Sequence, residues 1–313
     1  MAAIVNACGE VLVARRPQHV HQGGLWEFPG GKFESGESVE QALTREVSEE
    51  LGVTVMSARP LIRIEHRYPD KFVRLHVWRV DRWQGSPSGR EDQPLRWLAA
   101  EALDPEQFPA ANRAIIRALQ LPERYLITPE PNGDPEMFIE RLAGALRRGV
   151  RLVQLRAKSC PQRDLESLIE RALPLCRSHG AKLLVNADPE LVRLSGADGV
   201  HLDSARLLAL TERPLASRYW VAASCHNARE IIHANAIGVD FVVVSPVAAT
   251  LSHPQARPIG WEGLAALTTI AAVPVYALGG LGPADLSAAQ CHGAQGIAAI
   301  RSLWEGPDKP GSP

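Results

Sequence analysis

The stretch GGKFESGESVEQALTREVSEELGV occupies residues 30–53. A long helix is expected from Ser38 to Leu51, and on it Glu46, Glu49 and Glu50 stand at i, i+3 and i+4, along one face. Like charges packed so closely destabilise a helix unless something cationic neutralises them. Oxygen-only ligands of this kind suit Mg²⁺ or Mn²⁺, hard cations that keep waters free for substrate phosphates. Glu37 lies near the helix start, and Arg45 sits beside the cluster, where it could orient a carboxylate. Gly30, Gly31 and Gly36 let the preceding loop turn tightly, so that a backbone carbonyl can reach a metal. Taken alone, the run also reads as a solvated, charge-rich helix face.

Outward from this stretch, the first 120 or so residues read as strands and turns around that one helix. A strand is expected at residues 3–6, a turn at Cys8–Gly9 and a second strand at residues 11–14. Residues 73–83, VRLHVWRVDRW, alternate apolar and polar side chains as a half-exposed strand does. Residues 111–119 look like a short closing helix, and Pro122 breaks it at a brief joint.

From Tyr125 the pattern changes. Eight short apolar runs begin at Tyr125, Leu152, Leu183, Gly199, Trp220, Phe241, Pro274 and Gly296. Amphipathic helical stretches fill most of the intervals, among them residues 137–148, 164–178 and 228–236. Buried apolar strands alternating with helices imply a parallel sheet, and eight such units imply a (β/α)8 TIM barrel with tight loops. The expected division is 1–122, 123–306 and a frayed tail at 307–313.

At 313 residues the chain exceeds one ordinary core, and its formal charge of −1 creates no field that would draw it to nucleic acid or anionic lipid. No apolar run approaches a membrane span, and the first residues lack the basic start and apolar core of a secretion signal. The five cysteines are scattered and form no CxxC pair, which suits a reducing, cytoplasmic setting. They are expected to be small buried apolar residues.

The helix region resembles the Nudix box, G-x5-E-x7-R-E-U-x-E-E-x-G-U with U aliphatic: Gly31, Glu37, Arg45, Glu46, Val47, Glu49, Glu50, Gly52 and Val53 fill every defined position. The resemblance implies an α/β/α sandwich that hydrolyses a nucleoside diphosphate linked to another group. It implies Glu46, Glu49 and Glu50 as metal ligands, Glu46 also as a candidate base, and Gly30 as a carbonyl ligand. ARRP, LWEFPGGK, YPDK, WRVDRWQG, GREDQP and FPAAN extend the likeness, across residues 1–120, to the MutT type, the 8-oxo-dGTP diphosphatases. That similarity makes Glu91 a further metal ligand or water-activating carboxylate. It places Arg16, Phe28 and Asn112 in a purine pocket, with Asn112 hydrogen-bonding the oxidised base. Tyr68 stands where that type has an aromatic residue, as a stacking or a packing group, and Lys32 could offset phosphate charge.

In a (β/α)8 barrel, function collects at the C-terminal ends of the strands. Those ends carry Gln154, Arg156, Lys158, Asn186, His201, Ser224, His226 and His253, while Gly279 and Gly280 read either as a tight turn or as a backbone cradle for phosphate. VQLRAK, LLVNADPEL, GADGVHL, SPVAAT and YALGG resemble thiamine-phosphate synthase and its relative the thiazole tautomerase, over residues 125–305. The chain departs from the synthase pattern at Ala187 and Arg206, where that family has metal-binding acids, and at His253, where it has a pyrophosphate-binding lysine. A Mg²⁺–pyrophosphate complex would be poorly held. Thiazole isomerisation with His226 or His253 as acid and base, ligand sensing and a scaffold role remain open for the barrel.

The two resemblances together imply a Mg²⁺-dependent enzyme converting 8-oxo-dGTP to 8-oxo-dGMP and pyrophosphate, a mutation-avoiding sanitation of the nucleotide pool. The fused barrel would be degenerate, with a phosphorylated thiazole or thiamine-related ligand as its partner. The alternative is hydrolysis of another pyrophosphate, such as a thiamine-pathway compound, with the barrel as a ligand-binding or assembly module.

Overall fold

The computed structural model describes residues 1–19, 22–67, 72–131, 133–250 and 255–305. Two compact units divide the chain, Met1–Gln120 and Leu121–Pro313. The tail at 307–313 lies outside the described residues.

In the first unit, β1 (Ala2–Ile4) pairs in parallel with β5 (Phe72–Gln84), which pairs antiparallel with β4 (Thr54–Arg67). A second sheet sets β2 (Glu10–Arg15) between β3 (Trp26–Glu27) and β6 (Leu95–Ala99). An isolated bridge from Val5, just past β1, to Val11 of β2 links the two sheets. Side chains alternate along the strands, so the sheets bury both faces. Ala2, Ile4, Leu12 and Val80 pack under helix α1 (Val39–Leu51). Ala3, Val5, Val11, Val13 and Val77 pack with Ile115 and Ile116 of α2 (Arg113–Gln120). The result is the α/β/α sandwich.

Helix α1 forms because its stripe is consistent. Leu43, Val47 and Leu51 fall at i, i+4 and i+8 and are buried, each worth about 1.5–3 kcal/mol of apolar transfer, while Glu46, Glu49 and Glu50 keep to the remaining surface. Ser38 starts the helix through a reciprocal cap. Its hydroxyl accepts from the Gln41 N–H at 3.2 Å, and the Gln41 side chain accepts from the Ser38 N–H at 2.8 Å. Gly52 ends it.

The second unit is a closed barrel of eight parallel strands: β7 (Arg124–Ile127), β8 (Leu152–Leu155), β9 (Lys182–Val185), β10 (Gly199–Leu202), β11 (Trp220–Cys225), β12 (Phe241–Val244), β13 (Val275–Ala277) and β14 (Gly296–Ala299). Every expected apolar run became one of them. Helices α3 (Pro135–Arg147), α4 (Gln162–Ser178), α5 (Pro189–Ser195), α6 (Ser204–Ala209), α7 (Ala228–Ile237), α8 (Gly260–Ile270), α9 (Leu286–Cys291) and α10 (Arg301–Trp304) follow the strands in turn. Two cores result. Outward-facing strand residues such as Val153, Leu183, Val221 and Val242 meet the helices. Inward-facing ones, including Tyr125, Trp220, Phe241 and Tyr276, fill the barrel.

The cysteines correct one expectation. Cys176 and Cys225 are buried, but Cys8 and Cys291 are exposed and Cys160 is half-buried. Cys8 falls in the β1–β2 turn and Cys291 ends a six-residue helix, positions with no core to fill.

Replacing the α1 cap should cost stability without touching the acids. Ser38→Ala is expected to lose about 1 kcal/mol, read from the urea transition of the first unit.

Candidate functional site

Arg45 organises the acids of the first unit. Its Nε and Nη2 donate to the two carboxylate oxygens of Glu37, each at 2.9 Å, a fork that fits a carboxylate plane. Nη1 donates to Glu46 at 2.9 Å and to Glu49 at 3.1 Å, and Nη2 also to the Lys32 carbonyl at 3.0 Å. The guanidinium beside Glu37 holds that carboxyl below the usual range, and the acids in return raise the affinity of Arg45 for its proton. The loop carrying Lys32 and Glu37 is thereby stapled to α1.

Glu50 lies in a different environment. Burial pushes its carboxyl up to about 7, opposed by the Gly30 N–H, which donates to it at 2.9 Å, and reinforced by Glu46, Glu91 and Glu27. Glu27, on β3, is a residue that sequence reasoning passed over. Its carboxyl is raised by burial and lowered by its ion pair with Arg16. A lone acid between two aromatic residues, Trp26 and Phe28, was the signal the sequence offered.

Gly31 is required by contact with Glu46: a Cβ there would meet the Glu46 carboxylate oxygens at 2.3 and 2.4 Å. Glu91 and Lys32 are exposed. Among the described residues no three histidine, cysteine, aspartate or glutamate side chains converge closely enough to form a ready metal cage. Arg45 and Gly30 take up acid oxygens that a cation would otherwise share. The donor set is nonetheless all oxygen, and Glu50 has no cationic side chain in contact among the described residues, which fits a hard divalent cation.

Asn112 ends a single 3₁₀ turn, Ala110–Asn112, and is 2% exposed. Its side-chain Nδ2 is buried without a hydrogen-bond partner, a loss of about 1–3 kcal/mol that a bound acceptor would recover. Phe28 has no exposed surface and stacks on Phe108 with ring centres 5.6 Å apart, so in this conformation its ring is core rather than pocket lining. Tyr68 lies outside the described residues.

At the barrel's C-terminal end, the expected residues divide. Gln154, Asn186 and Ser224 are on the inward phase of β8, on the residue following β9, and on β11. Arg156 Nη1 donates to Glu130 at 2.9 Å, and the same carboxylate accepts from the backbone N–H groups of Lys158 and Ser159. Arg206 Nη1 lies 3.0 Å from Asp203 and 3.4 Å from Asn186 Oδ1. A guanidinium thus sits beside Asn186. Gly279 and Gly280 have φ of 113° and 63°, and a Cβ on Gly280 would meet the Ala249 carbonyl oxygen at 2.2 Å. Close packing against the β12 loop explains both glycines, and the nearby Gly282 N–H is already taken by Asp285 at 2.8 Å. His226 Nδ1 donates to the Ser245 carbonyl at 2.8 Å, and its side chain is exposed. His253 lies outside the described residues. His201 is fully buried, and burial pushes its imidazole down to about 3, with Asp203 opposing and Lys158 assisting.

The two units carry two separate family signatures. The NUDIX domain family model matches residues 1–118, and that for thiamine monophosphate synthase matches residues 124–303. The chain belongs to the Nudix family through its first unit and to the thiamine monophosphate synthase family through its second. Among relatives, an 8-oxo-dGTP diphosphatase of Escherichia coli is 39% identical over 37% of this chain and 91% of its own length. Another of that name from Haemophilus influenzae is 39% identical over 37% of this chain and 85% of its own. A thiamine-phosphate synthase of Thermus thermophilus is 35% identical over 58% of this chain and 89% of its own. No helix among the described residues is long and apolar enough to cross a membrane.

Two outcomes follow from the geometry. Gly31→Ala should displace the Glu46 carboxylate and lower pyrophosphohydrolase turnover roughly 10–100-fold, while the unit's melting temperature moves little, because the displaced atoms end a flexible side chain. In the barrel, the folded state keeps His201 neutral, so the unfolded chain binds a proton that the folded chain refuses. Stability should fall as pH drops from 6.5 toward about 3, and His201→Gln should flatten that limb in urea transitions followed against pH.

Proposed function

We propose that the first unit hydrolyses oxidised guanine nucleoside triphosphates, taking 8-oxo-dGTP to 8-oxo-dGMP and pyrophosphate with Mg²⁺, or Mn²⁺ in its place. The observation that carries the substrate is Asn112, whose buried amide N–H lacks an acceptor that the rim of an oxidised purine can supply. The likeness of the first unit to 8-oxo-dGTP diphosphatases supports the same choice.

Glu46, Glu49, Glu50 and Glu91 would hold the cation, together with the carbonyl of Gly30. When bound, a divalent cation neutralises phosphate oxygens and acidifies water. Arg45 donates to both Glu46 and Glu49 and so aims them along one flank of α1. Glu46 and Glu50 are the candidates for the proton transfer, Glu50 through a part-buried carboxyl that no cationic side chain contacts among the described residues. Lys32 is exposed at the loop, where its ammonium can meet the charge of a leaving pyrophosphate. Arg16, held by Glu27, would border the base.

For the barrel we infer a ligand-binding role with the synthase chemistry lost. Arg206, paired with Asp203, places its guanidinium against Asn186, which disfavours a divalent cation there; a phosphorylated heterocycle is the ligand class the barrel would take.

The test is steady-state kinetics on a nucleotide panel with Mg²⁺ and with chelator. kcat/KM should favour 8-oxo-dGTP over dGTP, Asn112→Ala should erase most of that preference, and chelator should abolish turnover. Glu49→Gln and Glu50→Gln should each lower kcat by roughly two orders of magnitude or more with the fold intact, since Glu49 is exposed and a neutral isostere at part-buried Glu50 removes a desolvated charge. Equal rates on both nucleotides would refute the substrate assignment.

A further inference from the structure

The loop that carries Glu91 runs from the end of β5 to the start of β6, residues 85–94. It is tied to the end of helix α1 at several points. A helix leaves its last carbonyls without intrahelical donors, and this loop supplies them. Ser88 N–H donates to the Leu51 carbonyl at 3.0 Å, and Arg90 N–H donates to the Glu50 carbonyl at 2.9 Å. The Arg90 guanidinium lies over Gly52, where a Cβ would meet its Nε at 2.5 Å, and its Nη1 lies 3.4 Å from the Ser48 carbonyl oxygen.

Gln93 adds the contact that fixes the tip. Its Nε2 donates to the same Glu50 carbonyl at 3.1 Å, while its Oε1 accepts from the Glu91 N–H at 2.8 Å. Asp92, between them, has a φ of 57°, the left-handed conformation that folds the loop back and brings residue 93 to the amide of residue 91. Gly89 keeps the turn tight, since a Cβ there would meet the Gln93 carbonyl oxygen at 2.1 Å. One side-chain amide thus joins the backbone of Glu91 to the backbone of Glu50. The bridge needs a donor and an acceptor on the same group, which glutamine has; a carboxylate would set a second oxygen against the Glu50 carbonyl. The Glu91 side chain itself is exposed and has no hydrogen-bond or ion-pair partner among the described residues, although its charge bears on both Glu50 and Glu27. The backbone is held while the carboxylate is left open.

We propose that Gln93 is a positioning residue for the cation site: its side-chain amide couples the Glu91 loop to helix α1 and so fixes the reach between the Glu91 and Glu50 carboxylates. Gln93 touches neither cation nor nucleotide and acts through Glu91. This rests on the acids of the first unit holding a divalent cation, and is independent of which nucleotide is hydrolysed.

Hydrogen exchange at the Glu91 amide of the full chain, followed by NMR without any cation, reads the bridge. That amide lies at the surface with Gln93 as its acceptor, so exchange should speed roughly tenfold in Gln93→Met, which keeps the side-chain length and removes both hydrogen bonds. Unchanged exchange would overturn the bridge. Titration with Mn²⁺, followed by the EPR signal of the free ion, reads the consequence. With circular dichroism unchanged, Gln93→Met should weaken binding roughly tenfold and Glu91→Gln by as much or more. The double variant should bind no more weakly than Glu91→Gln alone, because the bridge has nothing left to position. A loop-closing role would instead give additive losses, or a lower melting temperature with wild-type affinity, and either result would overturn the assignment. A wild-type chain that binds no Mn²⁺ would remove the cation reading and the positioning role with it, whereas exchange at the Glu91 amide tests the bridge by itself.

Discussion

Arg45 is where the glycine loop and helix α1 of the first unit are held together, and the arrangement of the acids depends on it. Glu37, Glu46 and Glu49 all lie within 3.1 Å of one guanidinium, and like charges gathered so would repel without it. The guanidinium offsets that repulsion by forking onto Glu37 and reaching Glu46 and Glu49, with the Lys32 carbonyl as a further acceptor. Glu50 is left outside this arrangement, against a backbone N–H and among negative neighbours. One helix face thereby carries two kinds of carboxyl group: those that Arg45 touches directly, and one raised to about 7. The carboxylates that a guanidinium holds and the one left to a backbone N–H thus stand in different surroundings on the same helix.

The barrel solves a different problem. Its interior is filled by aromatic and aliphatic side chains, and polar atoms survive there only where they satisfy one another. The Tyr125–His201–Ser224 contacts are such a case. Arg206 and Asp203 occupy the rim by a similar pairing. Charge at this end is therefore mostly spoken for by neighbours, with Arg156 bound to Glu130 as a further example.

Much of the fold could be read without coordinates. Leu43, Val47 and Leu51 are spaced for a helix, and the Ser38–Gln41 cap lies at its expected start. The eight barrel strands were legible because parallel strands buried on both faces are short and almost wholly apolar. The long strand β4 gave no comparable signal. Its sequence, TVMSARPLIRIEHR, mixes charge with apolar residues and carries a proline, and the structure accommodates this with register shifts around Val55–Ala58 and Pro60–Ile62. Phe28 illustrates another limit: nothing local distinguishes a core aromatic from one that faces a ligand, and only packing against Phe108 reveals its burial.

What the sequence determined by itself is the local periodicity: a helix with three acids on one flank, and eight apolar runs able to close a parallel barrel. These follow from spacing along the chain, because helix and strand geometry convert position directly into direction. Which groups meet was decided only by the tertiary structure. The Glu27–Arg16 pair, the 2.3 Å limit that Glu46 sets on Gly31, and the burial of His201 between Tyr125 and Ser224 join residues that secondary structure leaves apart. Hydrogen bonding and desolvation act through space, and their strength depends on distances that no pattern along the chain encodes.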